Sequence, residues 1–240
     1  MRRFLDRFLK PRPAVSAPPT LPVLPSLERG DVTAFRQTFE ATLAACTWQT
    51  HPRYSVFTQY DQSFYRAHQA AFEHKYRCFY AVARTIGPQT ILELGTHAGS
   101  GADAYLAGAP QARYIGYDLF GEGVREDDGS AWHPRQIAEL LFADRGYSNY
   151  ELIQVDLRTL SELPQQADFV VVDGAHDFDN EYADLLLSLT AQPQWIFVDD
   201  TEGPEAHSAV EKFMRDDIAD RMEWAYPVSY AGGGLVIKLL

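Results

Sequence analysis

The sequence has little cysteine, too few basic residues to balance its acids, and no long apolar run. Two cysteines, Cys46 and Cys78, are too few for a disulfide framework, and a chain of 240 residues is long enough to bury a core without one. They read as free thiols in a reducing cytoplasm, where the chain is expected to reside. No stretch approaches the roughly 20 apolar residues of a membrane span. Lys and Arg number 21 against 33 Asp and Glu, a net charge of −12. Such a field repels phosphate backbones, so no nucleic-acid partner is expected. A Gly-Lys-Ser/Thr motif is also missing, which excludes a P-loop.

What is present falls into three parts. Residues 1–29 form a basic tail and a Pro-rich linker. In the tail, Phe4, Leu5, Phe8 and Leu9 share one helical face ringed by Arg2, Arg3, Arg7 and Lys10. That pattern suits a weak membrane-surface or partner-docking contact through residues 1–10. Ten residues fall short of the roughly 12–15 an isolated helix needs, so a frayed tail is the plainer reading. The tail has no continuous apolar segment and does not read as a secretory signal. Six prolines between Pro11 and Pro25 block helix and central strand.

Residues 30–88 read as a helical cap region. Val32, Phe35, Phe39 and Leu43 recur at helical spacing behind Asp31, and a long helix over Phe64–Ile86 stops at Gly87-Pro88. The aromatics Trp48, Tyr54, Phe57, Tyr60, Phe64 and Tyr65 suit an acceptor-pocket wall, a dimer contact in a homo-oligomer, or plain core packing.

From residue 89 to 240 short β-rich runs alternate with helical patterns. The runs are Thr90–Leu94, Arg113–Tyr117, Tyr150–Val155, Asp168–Val172 and Trp195–Val198. Helical patterns follow near Ala102–Ala107, Pro134–Arg145, Leu157–Leu163, Asn180–Leu189 and Pro204–Ala219. This is the signature of a doubly wound α/β fold with a parallel sheet. Glu223–Tyr230 and Leu235–Leu240, joined by Gly232-Gly233-Gly234, read as a hairpin that adds an antiparallel C-terminal strand.

In an open parallel sheet ligands bind beyond the carboxyl ends of the strands. Glu93, Gly95, Thr96, Gly99 and Gly101 follow the first run and Asp118 the second. Asp156 follows the third, Asp173, Gly174 and His176 the fourth, and Asp199 and Asp200 the fifth. The glycine order is G-x-x-x-G-x-G, with His97 where a dinucleotide fingerprint needs its second Gly. Asp118 lies 23 positions beyond Gly95, where a carboxylate can accept both ribose hydroxyls. Together these point to an adenosine-type ligand without a pyrophosphate.

The segments Glu93–Gly101, Tyr117-Asp118, Val172-Asp173-Gly174-Ala175-His176 and Val198-Asp199-Asp200 resemble class I S-adenosylmethionine-dependent methyltransferases. More narrowly they resemble the branch of macrocin-type O-methyltransferases and cephalosporin-hydroxylase-like proteins. The resemblance covers Thr90–Leu240. It implies a Rossmann-like, mostly parallel seven-stranded sheet with S-adenosylmethionine as cofactor. It also implies that Glu93, Gly95, Thr96 and Gly99 line the methionine part, that Asp118 meets the ribose and that Asp156 lies near the adenine.

The chemistry expected at the remaining residues is metal-assisted O-methyl transfer. Asp173, Asp199 and Asp200 suit Mg²⁺ or a similar hard divalent cation, Asp173 also belongs to the cofactor-binding set, and His176 is the general base. The resemblance implies the same roles. Asp177, Asp179, Asn180 and Glu181 precede a helical run and read as capping and dipole residues. Leu119–His133 reads as a substrate-covering loop or a plain acidic one. The expected acceptor is a hydroxyl of a small molecule of sugar or natural-product type. A cephalosporin-hydroxylase-like protein, a metal-independent methyltransferase and a non-catalytic adenosyl-ligand-binding protein are the alternatives. Nucleic-acid methylation lacks its Asn/Asp-Pro-Pro-aromatic motif as well as the charge.

Overall fold

The structure is a computed structural model that describes residues 31–51, 62–124, 129 and 131–240. The basic tail, the Pro-rich linker, Tyr54, Phe57, Tyr60, Glu126, Asp127 and Asp128 lie outside the described residues.

Five parallel strands form where the apolar runs stand: β1 (Thr90–Leu94), β2 (Arg113–Asp118), β5 (Tyr150–Gln154), β6 (Phe169–Val172) and β7 (Trp195–Asp199). The closing hairpin is β8 (Met222–Val228) and β9 (Gly234–Leu239). The sheet order is β5-β2-β1-β6-β7-β9-β8, so β9 inserts between β7 and β8 and runs antiparallel to both. The chain winds outward from β1 in one direction and from β6 in the other, which makes the β1–β6 seam the switch point.

Alternation along each strand splits the core into two layers. Ile91, Tyr114, Phe169, Val171 and Phe197 face one side. There they meet helices α1 (Thr33–Ala44), α2 (Gln62–Ile86), α3 (Ser100–Gly108) and α4 (Pro134–Arg145) through Phe35, Phe39, Phe79, Tyr105 and Phe142. Leu92, Leu94, Val170, Val172, Ile196 and Val198 face the other side, against α5 (Phe178–Thr190) and α6 (Pro204–Asp216). Each fully buried aliphatic or aromatic side chain stabilises the fold by about 1.5–3 kcal/mol. The helices of the N-terminal region therefore share one core with the sheet; Phe79 of α2 packs on Tyr105, Phe197 and Tyr230.

One local expectation is corrected. The helical pattern over Leu157–Leu163 yields only a single 3₁₀ turn, Leu157–Thr159, capped by Asp156. The Leu163 amide is instead drawn to Thr190 Oγ1 at 2.9 Å, which leads the chain away from a helical path. Within the acidic segment after β2, two short strands, β3 (Gly123–Val124) and β4 (Ala131–Trp132), pair as a hairpin.

Register sets the functional edge. Leu94 stands opposite Tyr117 on β2 and Val172 on β6, and Val172 stands opposite Val198 on β7. Gly95, Asp118, Asp173 and Asp199 therefore emerge level with one another.

The helix that follows β1 is braced from outside. Asp103 of α3 is buried, and Arg145 at the end of α4 grips it with Nε at 2.9 Å from Oδ1 and an Nη at 2.9 Å from Oδ2. Tyr147 donates a further hydrogen bond at 2.9 Å. Replacing Arg145 with Met leaves this carboxylate buried and without its counter-ion. Urea denaturation should show a loss of about 3–5 kcal/mol. The exposed Arg135–Glu139 pair is the control, where Arg135→Met should cost less than about 1 kcal/mol.

Candidate active site

The glycine loop is fixed by the strand ends it joins. Gly95 donates to the Tyr117 carbonyl at 2.8 Å, and Asp173 donates its amide to the Leu94 carbonyl at 2.9 Å. Gly95 has a φ of +100°, and a Cβ there would overlap the Asp173 carbonyl. Only glycine permits both the left-handed turn and the close approach. The loop then crosses His97, also left-handed at 52°, and ends at Gly99, which begins α3 without any side-chain cap. The first amides of α3 are therefore left for other partners.

Beneath the loop lies a buried polar stack. Tyr114 donates its hydroxyl to Glu93 and lies 3.0 Å from Thr96 Oγ1. Glu93 is only 1% exposed. Burial pushes its carboxyl up to about 8 against the opposing effect of the Tyr114 hydrogen bond. Glu93 is thus placed under the loop as a brace, with Thr96 above it.

Asp118 holds the loop from the side. Its Oδ2 accepts the His97 amide at 2.8 Å and its Oδ1 the Phe120 amide at 2.5 Å. Each oxygen keeps a lone pair for a hydroxyl. Asp156 stands next along the edge, because Val155 bonds the Asp118 carbonyl at 2.9 Å. Its carboxylate caps the 3₁₀ turn and takes the Arg158 guanidinium at 2.7 Å on each oxygen, which lowers its pKa. Beside the loop the His97 ring lies 4.7 Å from that of Trp132, so the β3–β4 hairpin packs on it.

At the other side of the seam the arrangement departs from the expected trio of carboxylates around a cation. Asp173 and Asp199 lie two residues beyond Val171 and Phe197, and alternation turns them toward the α2 face of the sheet. Asp199 is fully buried there. Its Oδ1 accepts from Tyr230 at 2.5 Å and its Oδ2 lies 2.6 Å from Lys75 Nζ on α2. Lys75 also lies 3.3 Å from Asp200 Oδ1. Burial works against the ammonium, but Asp199, Asp200 and Asp173 outweigh it and hold Lys75 charged. The possible ligand atoms that do approach one another, within 4.8 Å, belong to Asp173, His176 and Asp200. Burial first, and then Asp199, push both Asp173 and Asp200 upward. Asp200 has a φ of 51°, a strained conformation for a non-glycine residue that the β8–β9 connection sustains through Glu202 and Gly232 at 2.8 Å.

His176 stands between two acids. Its Nε2 is 3.6 Å from Asp200 Oδ2 and its Nδ1 is 3.8 Å from Glu181 Oε2. Burial disfavours the imidazolium, yet Glu181, Asp200 and Asp199 prevail and raise the pKa. Asp177 is the cap of α5, accepting from the Asn180 amide at 3.2 Å as expected. Glu181 stands in the first turn of α5, where a dipole residue was expected. It is fully buried, and neither oxygen accepts a hydrogen bond among the described residues.

No family model matches this sequence, and no curated protein matches it. Solved structures do resemble it. A methyltransferase from Geobacter sulfurreducens superposes with a TM-score of 0.56 at 16% identity, over 85% of this chain and 96% of that one. The O-methyltransferase TomG from Streptomyces achromogenes, involved in tomaymycin synthesis and solved with SAM, gives 0.52 at 18%, over 85% and 97%. The SAH-bound Podospora anserina methyltransferase PaMTH1 gives 0.52 at 17%, over 88% and 89%. The chain has the Rossmann-like methyltransferase fold.

Within that methyltransferase fold, Gly95, Asp118, Asp173, His176, Asp199 and Asp200 gather along one edge, and Asp156 lies at its outer end. Sequence reasoning missed Lys75, Tyr114, Glu181 and Tyr230. Lys75 leaves a trace: it sits in register with Phe72, Phe79 and Val82, a lone charge within an apolar stripe. Glu181 shares its helical face with Leu185 and Ser188.

Glu93 generates a pH prediction. Its folded-state pKa of about 8 exceeds the ordinary 4.5, so the folded protein holds a proton that the unfolded chain has lost. This contribution is full at low pH and declines as pH rises between those values. Burial raises Asp173 and Asp184 in the same sense. Glu93→Gln should therefore flatten, without abolishing, the fall in melting temperature between about pH 5 and about pH 8. An unchanged slope would show that Glu93 is ionised in the fold.

Proposed function

We propose that this protein is an S-adenosylmethionine-dependent O-methyltransferase acting on a hydroxyl of a small molecule. The observation that carries the reading is one imidazole, His176, held between Asp200 and Glu181 at the same sheet edge as the glycine loop and Asp118. The carboxylate of the methionine moiety fits the uncapped first turn of α3, where amides and helix dipole favour an anion. The ribose hydroxyls fit the free lone pairs of Asp118. The adenine lies toward Asp156, whose carboxylate is already engaged by Arg158, so its contact runs through the backbone or the apolar neighbours of that turn.

A methyl sulfonium needs no further activation, and the protein supplies alignment and a proton acceptor. The acceptor oxygen attacks the methyl carbon, the carbon–sulfur bond breaks, and the hydroxyl proton passes to His176 Nε2. Glu181 behind Nδ1 favours a ring proton on that nitrogen, which leaves Nε2 free to receive. Asp173, Asp199 and Asp200 fit a shared metal poorly as a set, because the Lys75 ammonium already lies 2.6 Å from Asp199 Oδ2 and Tyr230 donates to its Oδ1. The metal-independent reading is therefore favoured. The strongly acidic chain supports a small acceptor over nucleic acid.

Calorimetry with S-adenosylhomocysteine tests the cofactor assignment. Wild-type protein should bind it saturably, and Asp118→Asn should weaken binding roughly 10–100-fold, the worth of charge-assisted hydrogen bonds. Absence of binding up to millimolar ligand would sink the proposal. For the chemistry, radiolabelled methyl transfer to pooled hydroxylated small molecules provides the assay. His176→Ala should cut transfer by about 10²–10⁴-fold with the cofactor affinity little changed.

A further inference from the structure

We propose that Lys75 is the resident cation of this site: its ammonium holds the place between Asp199 and Asp200 where a divalent ion would sit, and excludes that ion. Asp199 and Asp200 are consecutive, at the end of β7, while Lys75 comes from the middle of α2, 125 positions away from Asp200. The α2 helix lies on the sheet face toward which Asp199 points. Lys75 Nζ reaches Asp199 Oδ2 at 2.6 Å and Asp200 Oδ1 at 3.3 Å, so one cation bridges two carboxylates. Lys75 Nζ also lies 5.5 and 5.8 Å from the ring centroids of Phe79 and Tyr230. Packing on two aromatic rings and a side-chain exposure of 17% confine the ammonium to this position.

The carboxylates show the same occupation. Asp199 Oδ1 is taken by Tyr230, whose hydroxyl is buried with it. With Lys75 2.6 Å from Oδ2, each oxygen of Asp199 already has a partner, one of them a cation. The three remaining candidate donors, on Asp173, His176 and Asp200, include a carboxylate that Lys75 already shares. A divalent ion drawn to them would face the ammonium across Asp200 at a range where like charges repel strongly. A fixed ammonium gives the acidic edge a permanent counter-charge that does not depend on metal supply. Exclusion of the ion stands on these ion pairs alone; its bearing on methyl transfer rests on the functional reading above.

The test uses Mn²⁺ alone with the full chain, followed by electron paramagnetic resonance of the free ion. Wild-type protein should show no saturable binding below about millimolar Mn²⁺, the range of the weakest protein sites for hard cations. Lys75→Met keeps the stem and removes the charge, and should bind Mn²⁺ at least about tenfold more tightly because the carboxylates lose their counter-ion. Lys75→Gln, whose amide can still donate to Asp199, serves if the Met variant does not fold. Adding Asp200→Asn to the binding-competent variant should abolish the gain. Micromolar Mn²⁺ binding by wild type, no gain in either Lys75 variant, or a gain that survives Asp200→Asn would each overturn the proposal. S-adenosylhomocysteine binding by the same wild-type sample is read separately. Its absence overturns the functional reading and leaves the ion result standing.

Discussion

The ion pair between Lys75 and Asp199 is the contact on which the rest of the site depends. A parallel sheet delivers every strand's carboxyl end to one edge, and here each end carries an acid. Asp199 is the deepest of them and has no access to water. A carboxylate in that position persists only with a counter-ion and hydrogen bonds, which Lys75 and Tyr230 provide. The pair also joins α2 to the end of β7. What reads in sequence as a cap region attached to a nucleotide-binding domain is, at this contact, a part of the site.

The glycine-loop side follows a different physical rule. There the backbone does the positioning. Gly95 lies against the Asp173 carbonyl, Asp173 bonds back to Leu94, and Asp118 collects the His97 and Phe120 amides. Side chains then support the loop from below, with Glu93, Tyr114 and Thr96 in a sealed polar stack. The glycine loop is hydrogen-bonded at both its ends and along its floor. Such a loop holds backbone amides toward a ligand at little ordering cost. On the far side of the seam the imidazole of His176 stands between Asp200 and Glu181, so the loop and the imidazole share one edge while depending on separate supports.

Much of the fold was legible in sequence because burial writes itself into periodicity. Phe169–Val172 and Trp195–Val198 are apolar on both faces, which only a strand covered by helices on each side requires. The glycines between β8 and β9 announced the reversal that makes β9 antiparallel. Strands of two residues, β3 and β4, carry no period and were not foreseen. The stretch after Asp156 held an apparent helical pattern that a hydrogen bond from Leu163 to Thr190, 27 positions away, redirected.

By itself the sequence determined the sheet, the carboxyl edge of its parallel strands, and the list of acids and the histidine that stand there. Those features are local: strand period, glycine punctuation and the residue that follows each strand. Only the tertiary structure decided which of these residues meet. Strand alternation turns Asp199 away from open space and into the α2 face, helix packing brings Lys75 to it, and the α5 helix buries Glu181 behind His176. These pairings join residues that are distant in the chain or that differ only in the face they present. A charge partner is chosen by geometry in three dimensions, and no one-dimensional spacing records it.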